Sequence, residues 1–414
     1  MNPNHATDEI ERVARESYAR LIAFLSARSH DVAAAEDALA DAVEAALAHW
    51  PQHGVPDRPE AWLLTAARHR LIDAARHRQV HAEFEAEFLA LADEAEQQLH
   101  DEAAFPDERL KLMFVCAHAA IDRAARAPLM LQTVLGLDAA RIAAAFLVEP
   151  AAMGQRLTRA KAKIREARLP FEVPAQSDFA PRLDAVLDAI YVAYGSGWDD
   201  VEGIDATRRG LAQEALQVCE LLLRMLPDEP EALGLMALML HCEARRDARR
   251  DAGRYVPLSE QDVSRWSPAH MRAAEECLLR ASRAGRIGRF QLEAAIQSVH
   301  ARRAQTGVTD WEEIALLYQG LVHLAPTLGA LLGRAAAVAY AHGAEAGWQL
   351  LQQIPSDRVG AHQPYWALQA HLLRQLGRPT EAQTAYQTAL ALTDDPATRE
   401  FLSGQISLCR NPVS

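Results

Sequence analysis

Residues 136–174 read GLDAARIAAAFLVEPAAMGQRLTRAKAKIREARLPFEVP, and this stretch decides the fold class. Asp138 is placed to cap a short helix from Ala139 to Phe146, and the turn Leu147-Val148-Glu149-Pro150 follows. A second helix, about Ala151 to Arg168, carries six cations (Arg156, Arg159, Lys161, Lys163, Arg165, Arg168) against the single acid Glu166. Two helices joined by a short turn, the second one basic, form the layout of a helix-turn-helix. The whole chain has a net charge of -13, which excludes a protein that coats nucleic acid along its length. Contact with DNA is therefore local, and this basic helix is where it falls.

Upstream, Leu110 to Ala120 and Pro128 to Leu135 are apolar and ordered, but the segment before them differs. From Gln79 to Glu108 there is no lysine or arginine, and ten acids occur between Glu83 and Glu108, so the segment is expected to be a solvated linker. Before it, Ala35, Ala38, Leu39, Ala42, Val43, Ala46, Leu47 and Trp50 recur at helical spacing as one stripe, with Glu36, Asp37, Asp41 and Glu44 on other faces. Pro51, Gly54 and Pro56 mark a loop, and Asp57 with Glu60 forms an expected capping box. The next helix runs through Trp62, Leu63, Leu64, Ala67 and Leu71 and ends in a basic tract of Arg68, His69, Arg70, Arg76, His77 and Arg78. Trp50 and Trp62 are expected in the core.

Downstream, Pro170, Pro174 and Pro181 mark the main boundary. After Arg182 the chain reads as short helices broken by Gly, Pro and Asp. The clearest pair is Tyr365 to Leu376 with Thr380 to Leu392, where Trp366, Ala370, Leu373, Ala382, Tyr386 and Ala389 sit at tetratricopeptide-like spacings. Leu211 to Met225 with Glu231 to Arg245, and Trp311 to His323 with Leu331 to Ile354, are weaker relatives, so a helical solenoid or irregular array is expected. Composition agrees with an all-α fold: of 414 residues 82 are alanine and only 6% are aromatic. No apolar run reaches the length of a membrane span, and the polar start Met1 to Arg12 lacks a secretory layout, which gives a cytoplasmic expectation without membrane contact.

The five cysteines are widely spaced, so neither disulfides nor zinc are expected. Cys116-Ala117-His118 and His241-Cys242 read as packing residues. Gly195-Ser196-Gly197 lacks a following Lys-Ser/Thr and reads as a helix terminus. Without a nucleophile elbow, an HExxH or a P-loop, the expectation is a non-enzyme with no metal and no cofactor. The run RRDARRDAGR (245–254) alternates in charge as hydrated helix ends do.

The strings AAEDALADAVEAALAHW (34–50), PEAWLLTAARHRLIDAARHR (59–78) and 136–174 resemble the two domains of bacterial sigma factors of the sigma-70 family, extracytoplasmic-function type. LPDEPEALGLMALML (226–240), FQLEAAIQSVHA (290–301) and LLRQLGRPTEAQTAY (372–386) are similar to the tetratricopeptide-type extension of one branch of it. The resemblance implies sigma domain 2 in 1–80, an acidic linker in 81–107, sigma domain 4 in 108–172 and a regulatory helical extension in 182–414. It also implies core RNA polymerase (largest-subunit clamp and beta flap) and promoter DNA as partners, and an intramolecular contact of the extension with the sigma domains.

In the family the helix Ala34 to Trp50 docks on the polymerase clamp, where Asp37, Asp41 and Glu44 suit a basic partner. Arg68, Arg70, Arg76 and Arg78 are implied at the minus-ten element, with the loop Gln52 to Arg58 holding a flipped base. Gln155, Arg156 and Arg159 are implied at base edges or phosphates of the minus-thirty-five element, with Lys161, Lys163 and Arg165 as backbone anchors. The chain departs from the family at Gly154, Ala152 and Leu147, which puts the strength of that contact in question. The linker is implied to thread toward the polymerase active centre. Asp251, Gly253 and Arg254 resemble a short motif of such extensions and are regulatory candidates. Two other readings stay open at this point: a helix-turn-helix regulator with a helical sensor domain, and a tetratricopeptide adaptor.

Overall fold

The computed structural model describes residues 3–77, 108–146, 148–198, 206–355 and 359–410. They are helical almost throughout, in two compact units, Met1–Leu222 and Leu223–Ser414. Arg78, the acidic segment 81–107, Leu147 and the side chains of Arg76, Ser196 and Gly197 lie outside the described residues.

The first unit opens with α1 (Pro3–Ser29), α2 (Val32–His53) and α3 (Pro59–His77), which pack on one another. Asp31 caps α2 by accepting from the Ala34 N–H at 3.1 Å, and Val32, Ala35, Ala38, Leu39, Ala42, Ala46 and Trp50 form its buried stripe. Leu21 and Ile22 from α1 and Leu63 and Leu64 from α3 complete this core, each worth about 1.5–3 kcal/mol when fully buried. Two details differ from the sequence reading. Leu47 is 45% exposed, because at 100° per residue it falls beside Glu44, away from the stripe. The α3 cap is Arg58, whose carbonyl accepts from the Trp62 N–H at 3.2 Å, while Glu60 accepts from Ser17 of α1.

Next come α4 (Arg109–Cys116), α5 (Arg123–Thr133), α6 (Ala139–Ala145) and α7 (Pro150–Glu166). Asp138 caps α6 through the Arg141 N–H at 2.9 Å, as its sequence suggests, and Pro150 occupies the first turn of α7, where its missing N–H costs nothing. Gly136 supplies the left-handed bend between α5 and α6, with φ +69. The unit runs past the proline boundary: α8 (Gln176–Trp198) packs on α4 and α5, with Phe179 against Phe114 at 5.5 Å. Arg109 of α4 pairs with Glu214 of α9 (Ala206–Met225).

The second unit is a run of helices in which neighbours along the chain pack together: α10 (Pro230–Ala244), α11 (Pro268–Ser282), α12 (Arg289–Thr306), α13 (Trp311–Leu324), α14 (Leu328–His342), α15 (Ala344–Gln352), α16 (Gln363–Gln375), α17 (Pro379–Ala391) and α18 (Pro396–Arg410). Gly234 lets α10 approach α12 closely; a Cβ there would lie 2.6 Å from the Gln291 nitrogen. Across the same contact the Glu231 carboxylate accepts from the Phe290 and Gln291 N–H groups at 2.9 and 3.2 Å, satisfying orphan donors at the start of α12. Trp366, Ala370, Leu373, Ala382, Tyr386 and Ala389 share one core cluster, as their spacing suggests.

Residues 245–255 depart from the expected helix end. After α10 a short 3-10 turn (Arg246–Ala248) leads into β1 (Arg250–Asp251) and β2 (Arg254–Tyr255), paired antiparallel with Asp251 opposite Arg254. Ala252 and Gly253 form the turn with φ +49 and +81, both positive as a two-residue hairpin requires.

Candidate nucleic-acid and polymerase interface

On α2 the residues Asp37, Asp41 and Glu44 are all exposed and share one face. Leu47 lies beside them, an apolar side chain within an acidic surface. Its exposure marks it as a contact candidate that the sequence stripe assigned to the core. Trp50 is fully buried and meets Trp62 edge to face at 5.5 Å, so Trp50 is core and Trp62 half-buried at its rim. On α3, Arg68 is half-buried, flanking the buried Leu64 and Leu71, and Arg70 is exposed.

On α7 the buried row is Met153, Leu157, Ala160 and Ile164, which seats the helix on its neighbours. Gln155, Arg159 and Lys163 follow one another on the exposed face. Arg156 instead donates to the Ala124 carbonyl at 3.3 Å, tying α7 to α5. Lys161 is held by Glu36 of α2, its Nζ donating to both carboxylate oxygens at 2.9 and 2.6 Å, and Arg165 lies 3.8 Å from Asp31. The sequence-derived set on α7 is thus divided between solvent and the first three helices, and Glu36 and Asp31 enter as partners that charge patterning alone did not single out. At Gly154 a Cβ would meet open space, so packing does not require the glycine.

Cys116 is buried and in contact with the Thr133 hydroxyl at 3.6 Å; burial pushes its thiol up to about 12, which leaves it inert as a nucleophile. Cys219 and Cys409 are buried and Cys242 and Cys277 half-buried, all as free thiols. Among the described residues no group of His, Cys, Asp and Glu could hold a metal ion, and no helix is long and apolar enough to cross a membrane.

In the second unit Asp251, Gly253 and Arg254 form the exposed tip of the hairpin. Its base is anchored to α18: Arg250 donates to Asp395 at 3.1 Å, and Tyr255 meets Phe401 edge to face at 5.6 Å. The tip therefore projects from an anchored base and carries a solvated charge pair, Arg254 being 3.8 Å from Asp251.

Known proteins give this arrangement a context. The Sigma-70 region 2 family matches residues 13–80, which cover α1 from Val13 and all of α2 and α3. A family of unknown function, DUF6596, matches residues 182–282 and so includes the hairpin. An uncharacterised protein of Rhizobium meliloti (strain 1021) is 38% identical over 377 residues, which are 90% of this chain and 89% of that protein. No solved structure matches the chain. The chain thus shares a family with the Rhizobium meliloti protein over nearly its full length, and the region 2 match over its first three helices supports a sigma-70 family sigma factor with a role in transcription initiation.

Proposed function

We propose that the chain is an alternative sigma factor of the extracytoplasmic-function type, which binds core RNA polymerase and directs it to promoters under control of its own carboxy-terminal helical extension. The observation that carries this reading is the exposed acidic face of α2, Asp37, Asp41 and Glu44 with Leu47 beside them, held on the fully buried Trp50 stripe. An acidic face with an apolar side chain beside Glu44 suits a basic partner helix such as those of the polymerase clamp. Arg68 and Arg70 on α3 serve the minus-ten element, with residues 1–80 as sigma domain 2.

In residues 108–172, sigma domain 4, Gln155 and Arg159 meet base edges of the minus-thirty-five element and Lys163 meets phosphate. Residues 81–107 form the acidic linker. Control in cis is supported by α8 and α9: the first part of the extension is built into the first unit, α8 packing on α4 and α5 and Glu214 of α9 pairing with Arg109. The tip residues Asp251, Gly253 and Arg254 are the regulatory contact, displayed on a hairpin whose base is fixed.

The test is equilibrium binding of the full chain to purified core polymerase, followed by promoter capture. Formation of a stable complex that retains promoter DNA is the expected result. Binding of palindromic DNA by the chain alone, with no affinity for polymerase, would replace this reading with that of a one-component regulator.

A further inference from the structure

Residues 245–266 are inserted between α10 and α11, two helices that pack on each other and that a turn of about 2–8 residues would join. The insertion returns to its origin, where the Ser267 N–H donates to the Ala244 carbonyl at 2.7 Å. Between those ends it meets helices far along the chain. Arg303 of α12 donates to the carbonyls of Leu258 and Ser259 at 2.9 Å and of Gln261 at 3.1 Å, and its guanidinium lies 5.1 Å over the Trp266 ring. Glu260 lies near Tyr340 of α14; burial first, and then this carboxylate, push the tyrosine hydroxyl up. At α18, β2 packs on the helix, Arg250 donates to Asp395 and Tyr255 meets Phe401.

Asp395 has two partners. Its Oδ2 accepts from the Thr398 N–H at 2.8 Å and so caps α18, while its Oδ1 accepts from the Arg250 Nη2 at 3.1 Å. One carboxylate thus joins the start of α18 to the base of the hairpin. The hairpin requires such an anchor, because a pair of two-residue strands does not hold itself in water. Behind it the Val256 N–H donates to the Arg249 carbonyl at 2.9 Å, Gln261 Nε2 to the Val256 carbonyl at 3.2 Å and Arg265 to the Arg250 carbonyl at 3.2 Å. A displacement of the tip is therefore passed both to α18 and along the insertion to Arg303.

In a helical array each repeat touches only its neighbours, so a change at one end fades along it. We propose that the insertion 245–266 is a clamp that overrides this rule: it ties α10 and α12 to α18, and through Asp395 and Phe401 the last helix positions the tip Asp251, Gly253 and Arg254 for contact. The inference rests on the reading of that tip as the regulatory contact. A partner that engages the tip acts on both ends of the array at once, and Asp395 and Phe401 are positioning residues for that contact from some 145 positions away.

The test separates the two roles of Asp395 in the full chain. In Asp395→Ser the hydroxyl still caps α18 but is too short to reach Arg250, and Arg250→Met breaks the same bond from the other side while keeping the packing of the stem. Hydrogen exchange read by mass spectrometry is expected to quicken about tenfold over residues 249–256 in both variants, to quicken in α18 in Arg250→Met, and to stay unchanged in α10. Transcript output with core polymerase is expected to change in the same direction in Asp395→Ser and Arg254→Ala, by factors within about twofold of each other. The double variant should change it no further than either alone, because the two residues act as one unit. Unchanged exchange over 249–256 in both variants overturns the clamp. A loosened hairpin with output altered by Arg254→Ala and unaltered by Asp395→Ser overturns the positioning role of α18. A loosened hairpin with output unaltered by Arg254→Ala overturns instead the reading of the tip as the regulatory contact, and the clamp stands as a link between the ends of the array.

Discussion

The solvent-facing cations of α7 and the arginines between positions 245 and 303 look alike as sequence and behave differently in the folded chain. On α7 the row Gln155, Arg159 and Lys163 faces solvent. In the second unit Arg245 donates to Gln297, Arg246 to Glu243, Arg250 to Asp395, Arg265 to the Arg250 and Asp247 carbonyls, and Arg303 to the carbonyls of Leu258, Ser259 and Gln261. These arginines act as staples. The difference teaches that positive charge is left to a partner where the fold does not tie it down; at RRDARRDAGR the acceptors include Gln297 and Asp395, far along the chain, as well as the neighbouring Glu243.

The comparison breaks most visibly if exposed charge proves structural. Reversal of Asp37, Asp41 and Glu44 to lysine is expected to cut affinity for core polymerase more than a hundredfold, since like charges across an interface cost several kcal/mol. Thermal unfolding should stay unchanged, because all three side chains are exposed. A large fall in melting temperature would place them with the staples.

The second unit has its own pH response. Burial, and then Arg245 and Arg303, push the His300 imidazole down to about 4 from its ordinary 6.5. Between those values an unfolded chain takes up a proton that the folded one refuses. The stability present above pH 6.5 is therefore lost as pH falls toward 4, by roughly 3 kcal/mol. Denaturant unfolding across this range should reveal the slope, and His300→Gln should flatten it.

Arg303→Ala removes three carbonyl acceptors' shared donor and the cation stacked 5.1 Å over Trp266, and is expected to cost about 2 kcal/mol in stability with no effect on polymerase affinity. Arg159→Ala gives the mirror image: unaltered unfolding, and about tenfold weaker binding of a minus-thirty-five duplex in fluorescence anisotropy, some 1.4 kcal/mol. Smallest of all, Gly154→Ala should stabilise α7 by about 0.5–1 kcal/mol, because a methyl there meets open space and the helix gains propensity. A loss of promoter affinity in that variant, with stability raised, would show that the glycine serves close approach to DNA.

What could be read from the sequence was whatever depends on neighbours one or two turns away. Asp138 caps α6, Asp37, Asp41 and Glu44 share the exposed face of α2, and Trp366 and Ala370 nest with Ala382 and Tyr386. Each follows from helical period and capping chemistry. What could not be read depends on residues far along the chain. The hairpin at 250–255 is anchored by Asp395 and Phe401, and α12 is capped by Glu231 from some sixty residues before. Lys161 is claimed by Glu36, 125 positions away, so a cation that local patterning assigns to DNA is held by another helix. Leu47 shows the opposite failure: its residue type pointed inward, whereas its angle on the helix pointed out.

The central claim, that these charged faces direct polymerase to a start site, is tested most directly by transcription from a promoter library with purified core enzyme and this chain as the sole added factor. Sequencing of the transcript 5′ ends should show starts confined to templates sharing two upstream boxes, present with the intact chain and lost with the Asp37, Asp41 and Glu44 reversals. Starts no more selective than those of core enzyme alone would contradict it.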